Sequence, residues 1–285
     1  TPYLARRRAS PANLLDMIRR LRLLLRRTPH DVVVNVSIIV VLAGTVAALL
    51  GGSRRIVNIV TGLGFVFVSN SLPARMMRMG VLAALFLFAR FPRVVMVVQN
   101  RHDFRMLESI GFRPQRTLFL IRGSGVDIAR FRPLYQEPSG CLVTFVGRML
   151  ESKGVSELLE AARQLKGRGY RIVLVGTPDP RNPQSIPEER LREAAAEGLV
   201  EYWGWHPDVA AVYAQSALAG LPSWREGLPK TLLEAAACGL PMIATDVPGC
   251  TEIVWHEETG LLVPVRDSRA LAEAIDRLMT DDALR

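Results

Sequence analysis

Short β-branched runs alternate with helix-length stretches along the whole chain, and few architectures accept that rhythm. In the first half, "DVVVNVS" (31–37), "RIVNIVTG" (55–62), "RVVMVVQ" (93–99) and "TLFLI" (117–121) read as strands. Helices are expected between them, at about 12–27, 38–50, 72–90 and 101–110. In the second half the strands are "CLVTFVG" (141–147), "RIVLVG" (171–176), "LVEYWG" (199–204), "SALAGL" (216–221), "PMIATD" (241–246) and "GLLVPV" (260–265). Helices follow most of them, including 155–169 and 269–279. Strands separated by helices make parallel α/β sheets. The most apolar stretch, residues 32–50, approaches the length of a membrane span. Asn35 and Ser37 interrupt it, and Gly51, Gly52 and Ser53 follow it. A buried strand leading into a buried helix explains the same residues and keeps the rhythm, because a strand covered on both faces needs no polar alternation.

At 285 residues the chain is long enough for two domains. The sequence is 49% hydrophobic and 22% charged, which describes a folded, core-rich protein. The Gly-, Pro- and Ser-rich segment 123–140 reads as a linker. It separates residues 1–122 from residues 141–285. Charge divides at almost the same place: residues 1–135 carry 21 Lys+Arg against 5 Asp+Glu, and residues 136–285 carry 15 against 22. The first half therefore faces something anionic, a membrane or a nucleic acid. Three scattered cysteines, Cys141, Cys238 and Cys250, make neither a disulfide framework nor a metal cluster and point to a reducing, cytoplasmic setting. The first apolar residues are interleaved with arginines, unlike a signal peptide.

The chemistry concentrates in "SWREGLPKTLLEAAACGLP" (223–241). Pro229 suits the first position of a helix and Gly239 its end, so a helix is expected from about 229 to 238. A helix start offers N–H groups and partial positive charge to a phosphate. Gly227 lets the main chain approach a ligand closely. Lys230 and Glu234, four apart, share a face. Phosphate-binding amides, a cation and two acids (Glu226 and Glu234) suit a nucleotide sugar, whose diphosphate meets the helix and whose diols meet the acids. The same residues would also serve as an ordinary surface ion pair and a helix N-terminal charge. A second loop, "FVGRMLESKG" (145–154), places Arg148 and Lys153 after a strand, where α/β sheets gather ligands. Those two cations would neutralise a diphosphate. "DVPGCTEIV" (246–254) adds backbone at the same edge.

With these motifs in order, residues 117–280 resemble the C-terminal domain of retaining GT-B glycosyltransferases of glycosyltransferase family 4. The E-x7-E pair, the G-R…K-G loop and the A-x-G-x-P-x-I-A-T run carry the resemblance. It implies two Rossmann-like domains facing a cleft, the second binding a nucleotide sugar and the first facing the acceptor. Arg148 and Lys153 would hold the donor diphosphate, Glu234 the ribose, and Glu226 the transferred sugar. Gly227, Leu228, Pro229 and Lys230 would close around sugar and phosphate, with Glu226, Arg148 and Lys153 as the catalytic set. The family works without a bound metal or other cofactor, so none is expected, and no enzymic nucleophile is nominated. "IRGSGVDIARFRP" is similar to the family's interdomain segment, with Ser124 where asparagine is usual. Nothing before "DVVVNVS" resembles the family's opening strand and Gly-rich loop, so the first domain reads as incomplete. Thr61 stands where many relatives carry a histidine, a variant that resembles enzymes acting on polyprenyl-diphosphate-linked sugars. His30, His102, His206 and His256 read as structural or surface residues.

Two segments bear on location. Residues 6–27 put Leu14, Leu15, Ile18, Leu21 and Leu25 on a helical stripe among arginines, and 72–91 is a long apolar helix with charges near its ends. Both fit helices packed on a core, and both fit a dock on an anionic membrane. Few aromatics and no recognised motif argue against nucleic acid. The expected activity is sugar transfer to a lipid-linked or surface-polysaccharide acceptor at the inner face of the membrane. The alternatives are a GT-B-fold sugar-nucleotide epimerase and a non-catalytic membrane-associated subunit.

Overall fold

The computed structural model describes residues 11–62, 67, 71–133 and 142–285. Contacts divide the chain into two units, Thr1–Gly123 and Ser124–Arg285. Each holds one parallel sheet, as the strand–helix rhythm demands.

The first unit opens with α1 (Pro11–Arg27), followed by β1 (Val32–Val36), α2 (Ile38–Gly51), β2 (Arg55–Val60) and α3 (Leu72–Phe88). It continues through β3 (Val94–Val98), α4 (Arg101–Ser109) and β4 (Leu118–Leu120). Every strand pairs in parallel with the next, in the order β1-β2-β3-β4. Right-handed crossovers that all advance one way put α2, α3 and α4 on one face. That face holds the core, with Ile56, Leu85, Met96, Val98, Leu107 and Leu118 fully buried.

The polar interruptions in the apolar run have a structural purpose. Asn35 and Asn58 sit side by side in register on β1 and β2, and Asn35 Nδ2 donates to Asn58 Oδ1 at 2.8 Å. Thr45 on α2 donates to the same oxygen at 3.0 Å. Gly44 leaves the room, since a Cβ there would lie 2.1 Å from Asn35 Oδ1. A buried amide pair satisfied in this way fixes the register of two strands and of the helix above them. Among the described residues, no helix is long and apolar enough to cross a membrane. One expectation needs correction. β1 is covered on one face only: Val32, Val34 and Val36 remain 47–57% exposed, because no described crossover helix lies on that side.

The second unit runs β5 (Leu142–Val146), a 3-10 turn at Glu151–Lys153, α5 (Val155–Gln164), β6 (Arg171–Val175), α6 (Glu188–Ala196) and β7 (Glu201–Gly204). It then returns through α7 (Val209–Tyr213), β8 (Leu218–Leu221), α8 (Lys230–Ala237), β9 (Met242–Thr245), β10 (Gly260–Val263) and α9 (Ser268–Thr280). The sheet order is β10-β9-β8-β5-β6-β7. α5 stops five residues short of the helix expected to 169, because Gly167 and Gly169 take φ of 91° and 80° and turn the chain into β6. Part of the segment read as linker packs with this unit. Phe131 is 6% exposed within its core, and Arg130 Nη2 donates to Asp208 at 3.3 Å. The rest of that segment, 134–140, lies outside the described residues, as do Cys141, 63–66 and the start of the basic stretch at 6–27.

Candidate functional site

The strand order of the second unit reverses at β5. From β5 the chain steps outward to β6 and β7, then returns to the other side of β5 as β8 and steps the opposite way to β9 and β10. Crossovers of one hand travelling in opposite directions put α5 and α8 on opposite faces of the sheet. The loops leaving β5 and β8 therefore part from each other at neighbouring strand ends, where doubly wound sheets bind ligands. These loops are 147–154 and 222–229, the two read from the sequence.

Backbone interlocks hold the loops together. Gly154 has φ 74°, and a Cβ there would lie 2.0 Å from the carbonyl oxygen of Pro222. Gly249, with φ 89°, would place a Cβ 2.6 Å from Gly227 O and 2.9 Å from the carbonyl carbon of Glu226. The glycine of "DVPGCTEIV" thus supports the Glu226–Gly227 peptide from behind. Trp224 ties the set: its N–H donates to Ser152 O at 2.9 Å, its Nε1 donates to Glu157 at 2.8 Å, and the Arg266 guanidinium lies 3.8 Å above its ring. Thr245 on β9 donates to the carbonyl of Ser223.

These contacts bring Lys153 and Glu226 together from positions 73 residues apart: the ammonium of Lys153 hydrogen-bonds Glu226 Oε1, and the two side chains are 23% and 11% exposed. α8 begins at Lys230, one residue after the expected start. Pro229, at φ −73°, is its N-cap and offers no side-chain cap, so the first turn keeps donors available to an anion. Gly239 ends the helix at φ 74° as expected. One turn in, Glu234 is 8% exposed, and its carboxylate lies 3.4 Å from the Lys230 ammonium, which is 63% exposed. Gly227 and Pro229 are buried and Leu228 is half-buried. Arg148 stands in the β5 loop, half-exposed and 3.3 Å from Asp179. It is thus drawn to the loop after β6, and no ion pair links it to Glu226.

Several residues near this centre gave no signal in the sequence. Cys250 is fully buried, and burial, aided by the charge of Glu226, pushes its thiol far up the scale, so it stays neutral beneath the Lys153–Glu226 pair. Tyr213 is buried against α8. Its hydroxyl donates to Thr231 O at 3.0 Å and is pushed up by burial and by Glu234. Asp179 and Trp224 come from unremarkable turns. Composition offered one clue: the chain's lysines stand only at 153, 166 and 230, and two of those three positions are here. His30 contacts Ser53 at 2.8 Å, and His206 and His256 accept backbone N–H groups at 3.2 and 3.0 Å. Thr61 is exposed just beyond β2.

Residues 140–281 match the family described as Glycosyl transferases group 1. The second unit is a glycosyl transferases group 1 domain. One relative is the N,N'-diacetylbacillosaminyl-diphospho-undecaprenol alpha-1,3-N-acetylgalactosaminyltransferase of Campylobacter jejuni, 28% identical over 80% of this chain and 62% of that protein. Another is the putative colanic acid biosynthesis glycosyltransferase WcaL of Escherichia coli, 35% identical over 55% of this chain and 42% of that protein. The chain thus spans less than two thirds of either relative. The crystal structure of Anabaena HepE in complex with UDP and glucose superposes over 96% of this chain and 73% of that one, with a TM-score of 0.72 at 19% identity. The fold is GT-B.

Proposed function

We propose that this chain transfers a sugar from a nucleoside-diphosphate donor to a lipid-linked or surface-polysaccharide acceptor, keeping the anomeric configuration. The observation that carries the reading is two cation–acid pairs, Lys153 with Glu226 and Lys230 with Glu234, on the segments that leave β5 and β8 at the strand-order reversal of a glycosyl transferases group 1 domain. The leaving diphosphate gains negative charge as the glycosidic bond breaks. Lys153, Lys230 and the start of α8 supply fixed positive charge at that place, and the half-exposed Arg148 can leave Asp179 to join them. Glu226 now neutralises Lys153. A donor would take over that cation and leave the carboxylate to a sugar hydroxyl. Glu234, nearly buried one turn into α8, would accept from ribose hydroxyls. Gly227, Leu228 and Pro229 form the backbone wall between those two acids.

The relatives named above act, by their titles, on an undecaprenol-linked sugar and in colanic acid biosynthesis. They support a carbohydrate acceptor carried on lipid or in a surface polymer, and they lend no support to an epimerase. HepE holds UDP and glucose, which makes UDP-sugars the first panel to titrate. We assign the work to the inner face of the membrane, since the basic first unit suits an anionic surface, and assign no nucleic-acid partner. No metal or other cofactor is needed, because cations of the chain meet the diphosphate; chelator should leave turnover unchanged. Calorimetry with nucleotide sugars, followed by transfer assays, tests the whole reading. Lys153→Ala should lower turnover by about a hundredfold, the usual loss when one charge-stabilising donor is removed. Glu234→Ala should weaken nucleotide binding, and unchanged affinity would refute its assignment to ribose.

A further inference from the structure

Of the two segments able to face a membrane, the structure separates one from the other. On α1, Leu14, Ile18, Leu21 and Leu25 of the expected stripe are half-buried and the helix packs along α2, while Leu15, the fifth residue of that stripe, is 67% exposed. Four of its five stripe residues are already used in folding. α3 differs. Ala74, Leu85 and Phe88 turn one face into the core. The opposite face carries Leu72, Met76, Met79 and Leu87, which are 71%, 64%, 68% and 57% exposed. At 100° per residue these four, with Ala83 and Phe86, form a single stripe along the helix. A helix facing water ordinarily puts charges on that side. This one is apolar on both sides.

The charges that border the stripe are all of one sign. Arg75 stands at its flank and Arg90 at its end, the latter with its guanidinium 4.3 Å above the Phe86 ring. Arg78 lies over the Phe67 ring at 5.7 Å. No aspartate or glutamate occurs between Asp31 and Asp103, so nothing in that stretch repels an anionic surface. An apolar stripe with a basic border matches the interface of an anionic bilayer, where apolar side chains enter the acyl boundary and arginines remain at the headgroups. A protein partner of ordinary composition would leave those arginines opposite a mixed-charge rim.

We propose that the outward face of α3 is a membrane-docking surface for anionic phospholipid, entered by Leu72, Met76, Met79 and Leu87. The purpose of such docking rests on the lipid-borne acceptor proposed above, but its test does not. The measurement is flotation of the whole chain with vesicles of phosphatidylcholine, and of phosphatidylcholine mixed with phosphatidylglycerol. The wild type should float with the anionic vesicles and hardly with the neutral ones. Met76→Glu/Met79→Glu should reduce binding by about tenfold or more, by placing charge in the apolar stripe. Arg75→Gln/Arg90→Gln should lose roughly fivefold per arginine, and added salt should mimic it. Leu15→Glu/Leu24→Glu on α1 should stay within about twofold of the wild type on the same reasoning. Both methionines are exposed, so folding should survive, and nucleotide titration of each variant checks this; Leu72→Gln/Leu87→Gln provides a second, gentler lesion. The proposal fails if the wild type does not prefer anionic vesicles, or if the α3 and α1 variants behave alike. It also fails if the stripe instead drives concentration-dependent self-association without lipid. Loss of flotation with intact donor binding, or the reverse, tells failure of this surface from failure of the donor site.

Discussion

The two sheets use the same strand–helix grammar and reach different ends. In the second unit the strand order reverses at β5, so two loops diverge at adjacent strand ends and leave room for a ligand. In the first, the described strands advance in one direction only and leave no such gap. Surfaces follow the same division. Helices of the second unit dress their outer sides with paired charges, such as Arg163 with Glu160, Arg192 with Glu188 and Arg269 with Glu273. α3 of the first unit presents methionine and leucine to the outside instead. One unit sets charged loops at its strand-order reversal and covers its helices with ion pairs. The other keeps its surface unfinished in the chemical sense, apolar and basic together. Sheet order decides where a site can form, and surface pairing decides what the remaining face can meet.

The sharpest way to break this contrast is at Gly154. Alanine there would push Cβ into the Pro222 carbonyl, 2.0 Å away, at a positive φ that already disfavours a side chain. Backbone cannot yield as a flexible side chain does. The expected cost is about 3 kcal/mol or more, in the range of severe single substitutions. Donor binding should fall with it, because the Lys153 loop moves away from Glu226. Thermal unfolding and nucleotide titration measure the two effects. A stable variant with normal affinity would mean that the loops are not held by this interlock.

The matching lesion in the first unit is Asn58→Ala. It removes the oxygen that accepts from both Asn35 and Thr45 and leaves a buried amide and a hydroxyl unpaired. About 2–4 kcal/mol should be lost, with donor binding by the second unit unchanged. Equal loss of donor affinity would show that the two units fold as one.

Much of this was legible in the residues. Each strand read from a β-branched run appears within about two residues of its expected limits, since parallel strands buried by helices leave a plain apolar mark. Pro229 and Gly239 marked α8 to within a residue or two because their backbone preferences are local. What could not be read was non-local. No pattern within β1 tells whether a helix covers its second face, because that depends on sheet order. The sequence placed Arg148 among the cations of the loop but could not see Asp179, which draws it aside from the loop after β6. The stripes on α1 and α3 look alike until α2 is seen to occupy one of them.

The smallest effect tests whether the ion pairs of the second unit are decoration or support. Arg171 and Glu201 bridge β6 and β7 through two hydrogen bonds, of 2.6 and 3.0 Å, and Trp203 Nε1 donates to the same carboxylate at 3.0 Å. The Arg171 hydrogen bond, the largest cause, holds the Glu201 carboxyl below its ordinary value against the opposing effect of burial. A carboxylate depressed on folding adds stability above its unfolded value, about 4.3, and loses it as pH falls through the lower folded value. Solvent reaches both side chains, at 54% and 37% exposure, so the contribution is discounted to about 1 kcal/mol or less. Glu201→Gln should therefore melt slightly below the wild type at neutral pH, and the gap should close on acidification below about pH 4. Raising the pH above neutral should not widen it. If the gap instead persisted in acid, the pair would be acting through side-chain packing across β6 and β7, and charge pairing would not be what distinguishes the surface of this unit from that of the first.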